Sequence, residues 1–268
     1  MTDAIDRVLA AGVDGIAVIN LDRRPDRWSA FQAAWGGETA GDRLVRVPAC
    51  DGVTLKGYGE SPWFRGRKRD RSWAGRAGCA LSHKQALALI GERGWRRALI
   101  LEDDAVPGPG LGDGTLERAL KREDWDLLYL GCQEARGPIR AAEPGLVWIR
   151  GALDAHAYVV DAALADWIVQ RLPGEDRIWS WIAEQRAWDR WLRREIGREH
   201  AILACDPAIV VQAEGHSDIS VAHRQDQGPP PLIKPSRGGL DDLNRSFEAA
   251  TEGYSDYLRG RIKRMTGF

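Results

Sequence analysis

Several features that would place a chain in a special class are missing from this sequence. No apolar run approaches the roughly 18 residues of a membrane span, and no basic segment followed by an apolar one opens the chain, which favours a cytoplasmic protein. The four cysteines show no CxxC spacing, so the sequence indicates neither a zinc site nor a disulfide framework, and we expect buried thiols. A net charge of only −1 argues against a general nucleic-acid binder.

The composition that remains is that of an ordinary globular chain. With 268 residues, 44% hydrophobic and 29% charged, the length allows one large α/β domain or two small ones. Tryptophan is frequent, with 12 residues against four Phe and five Tyr. An indole ring suits stacking on a sugar face, but it also fills cores, and the composition leaves both interpretations open.

The most informative stretch is 97–105, where four apolar residues run into Glu102, Asp103 and Asp104, and Pro107 follows. This pattern predicts a buried strand of a parallel sheet, and ligands of open α/β sheets bind beyond the carboxyl ends of such strands. Adjacent carboxylates stay ionised together most easily when a cation neutralises them, and oxygen ligands suit Mg²⁺ or Mn²⁺. The alternative is a strand that ends in solvated acids.

An earlier strand, 15–21, leads into a basic segment. Because proline is tolerated in the first turn of a helix, we expect a helix from about Pro25. Arg23, Arg24 and Arg27 beside a helix N-terminus predict a diphosphate site, with a solvated basic turn as the alternative.

The middle of the chain is predicted as a strand at 44–49, an aperiodic loop at 54–75 and a helix at 77–93. The loop is rich in Arg, Lys and Trp, so it would either close over an anionic donor or form a surface excursion. His83 lies on the helix, and a single helix histidine is more often structural than catalytic.

Further strands are predicted near 126–131, 147–149, 156–160, 201–204 and 208–211, with one ring-rich helical stretch at 176–195. Residues three apart share a helix face, so Trp188 and Trp191 would together stack on an acceptor sugar or pack the helix on the sheet, with Asp189 between them.

Six segments, taken in order, resemble the family 25 glycosyltransferases, which include lipooligosaccharide galactosyltransferase-like enzymes and the catalytic domains of collagen hydroxylysine galactosyltransferases. They are 18–27 (VINLDRRPDR), 49–52 (ACDG), 78–83 (GCALSH), 101–105 (LEDDA), 157–160 (AYVV), and 207–212 with 217–219. The resemblance covers about 15–220. It implies an α/β GT-A fold, a Rossmann-like, mostly parallel sheet flanked by helices, with a divalent ion and a UDP-sugar donor, typically UDP-galactose.

The resemblance also implies roles for individual residues. The segment 102–104 takes the place of the family's DxD motif, and Glu102 and Asp104 are the expected metal ligands because residues two apart on a strand face the same side. His216, which has no clear counterpart in the family, is a weaker candidate because it follows a late strand near the active edge of the sheet. The residues expected at the nucleotide donor are Asn20, Arg23, Arg24, Arg27, Asp51, His83 and Asp103. The family transfers sugars with inversion, which requires one general base, and Asp189 is the choice, with Asp154 in reserve.

The expected organisation is a GT-A domain at 1–227, followed at 228–268 by a linker and an amphipathic helix with a basic end. That helix either docks weakly on the anionic inner face of a membrane or packs on the domain. The expected activity is metal-dependent transfer of a sugar from a UDP-sugar to a saccharide or glycoconjugate. Two alternatives remain open, a metal-dependent nucleotidyl- or phosphotransferase and a nucleotide-sugar-binding protein without catalysis.

Overall fold

The computed structural model describes residues 3–64, 69–213, 215, 216, 223, 224 and 232. The strands are β1 (Gly15–Asn20), β2 (Leu44–Pro48), β3 (Arg97–Glu102), β4 (Ala105–Pro107), β5 (Leu127–Gln133), β6 (Arg140–Glu143), β7 (Leu146–Ile149), β8 (Leu153–Asp161), β9 (Ile202–Cys205), β10 (Val210–Gln212), β11 (Gly215–His216) and β12 (His223–Arg224). The helices are α1 (Ala4–Ala11), α2 (Pro25–Trp35), α3 (Arg69–Arg93), α4 (Thr115–Lys121), α5 (Ala162–Arg171), α6 (Ile178–Gln185) and α7 (Trp188–Glu195).

Eight strands form the central sheet, in the order β2-β1-β3-β8-β5-β9-β7-β6. β1 pairs in parallel with both β2 and β3, and β5 pairs in parallel with β9. β8 and β7 run against their neighbours, so the other six strands share one direction. The predicted α/β class, with a mixed and mostly parallel sheet, is confirmed.

The central strands are buried on both faces because their side chains alternate between two apolar layers. In β3, Ala98 and Ile100 join the layer that holds α3, α5, α6 and α7, whereas Leu99 and Leu101 join the layer that holds α1, α2 and α4. The helices therefore flank the sheet on both sides, as predicted. The run that precedes Glu102 is apolar at every position because both faces of β3 are covered by helices.

Two predicted elements differ in extent. α3 begins at Arg69 and not after Gly75, because Trp73 and Ala74 are buried in the apolar layer although the segment is rich in Arg and Gly. The predicted helical stretch at 176–195 is broken into α6 and α7 at Arg186, whose φ of 72° lies in the left-handed region and ends a helix.

The four cysteines are free, and Cys132 and Cys205 are buried as expected. The expectation was wrong for Cys50 and Cys79, which are only partly buried. Among the described residues, no helix has both the length and the apolar character needed to cross a membrane. The amphipathic helix predicted within 228–268 lies outside the described residues.

Candidate functional site at the end of strand β3

The three consecutive carboxylates point to different partners. Glu102, the last residue of β3, faces α3, where its Oε1 lies 3.2 Å from Nε2 of His83. Asp103 faces β1 and α2, where it accepts hydrogen bonds from Asn20 Nδ2 at 2.7 Å and Arg27 Nη1 at 2.8 Å. Asp104 lies 3.9 Å from the same Arg27 nitrogen. The carboxylates therefore link both helical layers to the edge of the sheet.

Asp103 is the most enclosed of these acids, with a side chain only 8% exposed. Burial raises the pKa of its carboxyl, while hydrogen bonds from Asn20 and Arg27 and the charge of Arg27 act in the opposite direction. Asn20 is itself buried, and its Oδ1 accepts from Arg46 Nε at 2.8 Å. The structure thus brings together Asn20, Arg27 and Asp103, all three expected at the donor.

The other residues expected at the donor form separate pairs. Arg23 Nε donates to Asp51 Oδ2 at 2.7 Å, which joins the start of the basic segment to the ACDG segment. Arg24 turns to Asp26, with an Nη2–Oδ2 distance of 2.8 Å, while its backbone carbonyl accepts from Asn20 at 3.1 Å.

Two glycines bring the ACDG segment directly against α3. A Cβ on Gly78 would lie 2.3 Å from the carbonyl oxygen of Cys50, and a Cβ on Gly52 would lie 1.8 Å from that of Ala74. Ser82 Oγ accepts from the backbone N–H of Cys50 at 2.8 Å and donates to the Gly78 carbonyl at 2.7 Å. This close approach explains why both segments combine glycine with polar residues.

His83 is held on three sides. Its Nδ1 lies 3.0 Å from the hydroxyl of Tyr158 on β8, and its ring stacks on Trp188 with centroids 4.9 Å apart. Burial lowers the pKa of the imidazole to about 3, so the ring is neutral at physiological pH. A neutral ring facing the acceptor-only Glu102 carboxylate carries its proton on Nε2, and Nδ1 then accepts from Tyr158.

Trp188 and Trp191 share a face of α7, as predicted, with ring centroids 6.0 Å apart. Only 2% and 6% of these residues is exposed, so they pack α7 against the sheet and do not form an open stacking surface.

The two candidates for the general base are neighbours. The backbone N–H of Asp154 donates to Asp189 Oδ2 at 3.3 Å, and Asp189 Oδ1 accepts from the N–H of Arg190 at 2.8 Å. Asp154 has a φ of 60°, a conformation that Asp tolerates better than most residues, and its carboxylate accepts from Gln133.

Cys79 lies one helical turn before His83 on α3, and its thiol responds to the charges of the predicted acids. Burial and the negative charges of Glu102, Asp189, Asp104 and Asp154 raise the pKa of its thiol well above the usual value. The acids predicted for metal binding and for base catalysis therefore all act electrostatically on one side chain. Sequence reasoning missed Cys79 as part of this site, although its spacing of four from His83 was a usable signal. The side chain of His216 lies outside the described residues, and β11 places its backbone opposite His223.

The comparisons with known proteins point to one family. No protein-family model matches the chain. It is 34% identical over 149 residues to the human "Inactive glycosyltransferase 25 family member 3", which covers 50% of this chain and 24% of that protein. It is 30% identical over 179 residues to the bovine "Probable inactive glycosyltransferase 25 family member 3", covering 60% of this chain and 29% of that protein. The chain thus spans less than a third of the length of these relatives.

Similarity to solved structures is lower. A197 from STIV has a TM-score of 0.37 at 9% identity, covering 80% of this chain and 98% of that one. The mannose-1-phosphate geranyltransferase from Thermus thermophilus has a TM-score of 0.37 at 10% identity, covering 71% of this chain and 72% of that one.

Proposed function

We propose that the chain is a member of the glycosyltransferase 25 family, which its similarity to two relatives of that name supports, and that it is an inverting, metal-dependent glycosyltransferase. The proposed reaction moves a sugar, with galactose the expected one, from a UDP-sugar to a hydroxyl of a saccharide or glycoconjugate. The observation that carries the proposal is the arrangement at the end of β3, where Arg27 of the basic segment lies 2.8 Å from Asp103 and 3.9 Å from Asp104.

Such a reaction makes two demands on the protein. The leaving diphosphate develops negative charge that must be stabilised, and the acceptor hydroxyl must lose a proton. The site offers groups for both demands at one edge of the sheet, which is where open α/β sheets bind ligands.

The basic side of the site would hold the donor. Arg27 supplies a fixed guanidinium 2.8 Å from Asp103 and 3.9 Å from Asp104, so it both orients these acids and offers positive charge to a phosphate. Arg23, half exposed and paired with Asp51, lies at the start of the same basic segment. Asn20 fixes the end of β1 through its three hydrogen bonds.

Glu102 and Asp104 would hold the proposed hard divalent ion. Their side chains are 23% and 13% exposed at the strand end, and carboxylate oxygens are the ligands that Mg²⁺ and Mn²⁺ prefer. When bound, the ion would supply positive charge that stabilises the leaving diphosphate. Asp103, already bonded to Asn20 and Arg27, would position Arg27.

The carboxylate of Asp189 would accept the proton of the acceptor hydroxyl. As that O–H bond breaks, the oxygen forms its bond to the anomeric carbon on the face opposite the leaving UDP, and the configuration inverts. Hydrogen bonds from the backbone of Asp154 and Arg190 hold the carboxylate in place.

A second candidate function is favoured by the names of the relatives. Both are called inactive, which supports a nucleotide-sugar-binding protein without turnover as the alternative. The two functions share the donor site and differ in the fate of the donor.

The experiment that tests the proposal is a thermal-shift screen of nucleotide sugars with and without Mn²⁺, followed by product analysis. A donor at about 100 times its Kd stabilises the chain by roughly 2.7 kcal/mol, and we expect this only for a UDP-sugar with the ion present. Release of UDP with sugar transfer supports the transferase. Binding without turnover supports the alternative, and release of pyrophosphate or absence of binding contradicts the proposal.

A matched pair of variants tests the metal ligands. Asp104→Asn keeps the shape of the side chain but removes its charge, and we expect turnover to fall about 10³-fold. Asp166→Asn, an exposed acid on α5, should leave turnover unchanged. Equal rates in the two variants, or full activity in EDTA, would contradict the proposed ion.

Contact of the C-terminal segment with an anionic membrane surface is a further part of the proposal. The basic residues that support it are Arg259, Arg261, Lys263 and Arg264. Liposome co-sedimentation with and without residues 241–268 tests it, and equal co-sedimentation would contradict it.

A further inference from the structure

Cys79, His83 and Glu102 bring three different potential metal ligands together. One ligand atom from each, the Sγ of Cys79, a ring nitrogen of His83 and a carboxylate oxygen of Glu102, lie within 4.8 Å of one another. Cys79 and His83 are four residues apart on α3 and so share a helix face, and Glu102 ends β3 opposite them. Among the described residues, this is the group of three that comes together.

The chemistry of this group differs from that of a magnesium or manganese site. Thiolate and imidazole are the ligands that zinc prefers, and three protein ligands with an open position are typical of zinc sites that bind a further molecule. Magnesium and manganese prefer oxygen ligands and gain little from a thiolate. A soft divalent ion therefore fits this group better than a hard one.

The surroundings of His83 already fix a ligand geometry. Tyr158 lies 3.0 Å from Nδ1, which directs Nε2 toward Glu102, and Trp188 stacks on the ring. Metal-ligating histidines commonly use their other ring nitrogen for such a hydrogen bond, which fixes the tautomer and the orientation of the ring. The imidazole is thus held in place without an ion.

We propose that Cys79, His83 and Glu102 form a binding site for a soft divalent ion of the zinc type, with Tyr158 as the residue that positions His83. Binding releases the thiol proton of Cys79 to solvent. The imidazole stays neutral, because its proton moves from Nε2 to Nδ1 while Nε2 bonds the ion. The Tyr158 hydroxyl accommodates this change because it both donates and accepts.

The site has a consequence for turnover that rests on the proposed function. Glu102 is shared between the soft-ion site and the carboxylate pair proposed for Mg²⁺ or Mn²⁺. A zinc-type ion would therefore remove one ligand from the hard-ion pair and inhibit transfer.

The test measures binding on the full chain after treatment with a chelator, without nucleotide or activity. Titration with Co²⁺ or Cd²⁺ should produce the charge-transfer absorption of a metal–thiolate bond. Cys79→Ser should abolish this band, whereas Cys50→Ser, which changes another partly buried free thiol, should retain it. A wild-type chain without the band, or a Cys79→Ser chain that keeps it, would overturn the proposal.

Two further variants keep the test decisive if Cys79→Ser fails to fold. Glu102→Gln changes a partly exposed carboxylate, and Tyr158→Phe removes only the hydroxyl that faces His83. Loss of a hydrogen bond to a ligating histidine typically weakens metal binding 10–100-fold, and we expect about that effect for Tyr158→Phe. Unchanged Co²⁺ affinity in both variants would overturn the proposal. Since no nucleotide is present, this result is independent of whether the chain transfers sugars.

Discussion

Arg27 and Asp103 form an ion pair with an Nη1–Oδ1 distance of 2.8 Å, although they are 76 residues apart in the chain. The pair joins the first turns of α2 to the turn after β3. Because Asn20 bonds the other oxygen of Asp103, the middle carboxylate of the three is directed away from Glu102 and toward the basic segment. This pair commits the carboxylate of Asp103 to the basic segment.

The first prediction concerns the stability that this pair provides. Arg27→Met leaves the Asp103 carboxylate enclosed without its cation, and we expect the free energy of unfolding to fall by about 1–3 kcal/mol. Adding Asp103→Asn should recover part of the loss, because the uncompensated charge is gone. Urea denaturation at neutral pH measures both. The control is Arg24→Met, whose partner Asp26 is exposed, so the expected change is below about 1 kcal/mol. Equal losses in the two Arg variants would contradict this prediction.

A pair of glycines on α3 gives the second prediction. Gly78→Ala puts a Cβ 2.3 Å from the carbonyl oxygen of Cys50, so α3 must move from the ACDG segment, and we expect a loss of about 1–3 kcal/mol. Gly91→Ala on the same helix meets nothing within 4 Å and should stabilise by about 0.5–1 kcal/mol. Thermal or chemical unfolding compares them. A change of the same sign in both would show that close packing is not the reason for Gly78.

The third prediction separates donor binding from catalysis. Asp189→Asn removes the proposed base without a change of size, so we expect UDP-sugar binding by calorimetry to remain and turnover to fall about 10²–10⁴-fold. Asp154→Asn leaves the backbone N–H that bonds Asp189 in place and should reduce turnover less. If the Asp154 variant loses more activity than the Asp189 variant, the prediction is contradicted, and Asp154 becomes the better candidate for the general base.

The fourth prediction is a pH dependence of stability from His83. Burial lowers its pKa to about 3 against 6.5 in an unfolded chain, so between these values the unfolded state binds more protons. Stability therefore falls as pH falls below 6.5, by up to about 1.4 kcal/mol per pH unit from this group, and the effect is absent above 6.5. The charged side chain of Asp189 opposes the shift, and Glu102 and Tyr158 face the two ring nitrogens.

Urea denaturation between neutral pH and about pH 5, with EDTA present, measures this dependence. His83→Gln should flatten it, because the group that titrates differently in the two states is gone. His200→Gln, which changes a histidine beside Asp126, should keep the steep dependence. The prediction is contradicted if both variants keep the slope of the wild-type chain.

The sequence predicted the framework of the site well because the relevant signals are local. An apolar run such as 98–101 is buried on both faces only in the middle of a sheet, and the acids that follow it must lie at the strand end. Pro25 was a sufficient signal for the start of α2. The six ordered segments carry the resemblance to the glycosyltransferase 25 family.

The sequence could not predict the boundaries that depend on packing. The sequence 69–76 has no helical periodicity of apolar residues, because Arg and Gly occupy most of its positions. The burial of Trp73 and Ala74, which places this segment in the helix, is seen only in the structure. The break at Arg186 depends on how α6 and α7 pack and not on a proline or glycine. From the sequence, Trp188 was compatible with an open stacking surface. In the structure its ring stacks on His83 inside the core.

By itself, the amino-acid sequence determined the α/β class, the strand that ends in acids and the resemblance to the glycosyltransferase 25 family. Only the tertiary structure decided which side chains meet: Asp103 with Arg27, Glu102 with His83 and Cys79, and Asp189 with Asp154. The reason is that strand order and helix packing set these contacts across separations of 19 to 76 residues, over which local patterns carry no information. Cys79 and His83 lie on α3 and Glu102 lies on β3, so no spacing motif in the sequence connects the three. Their proximity is seen only in the folded chain.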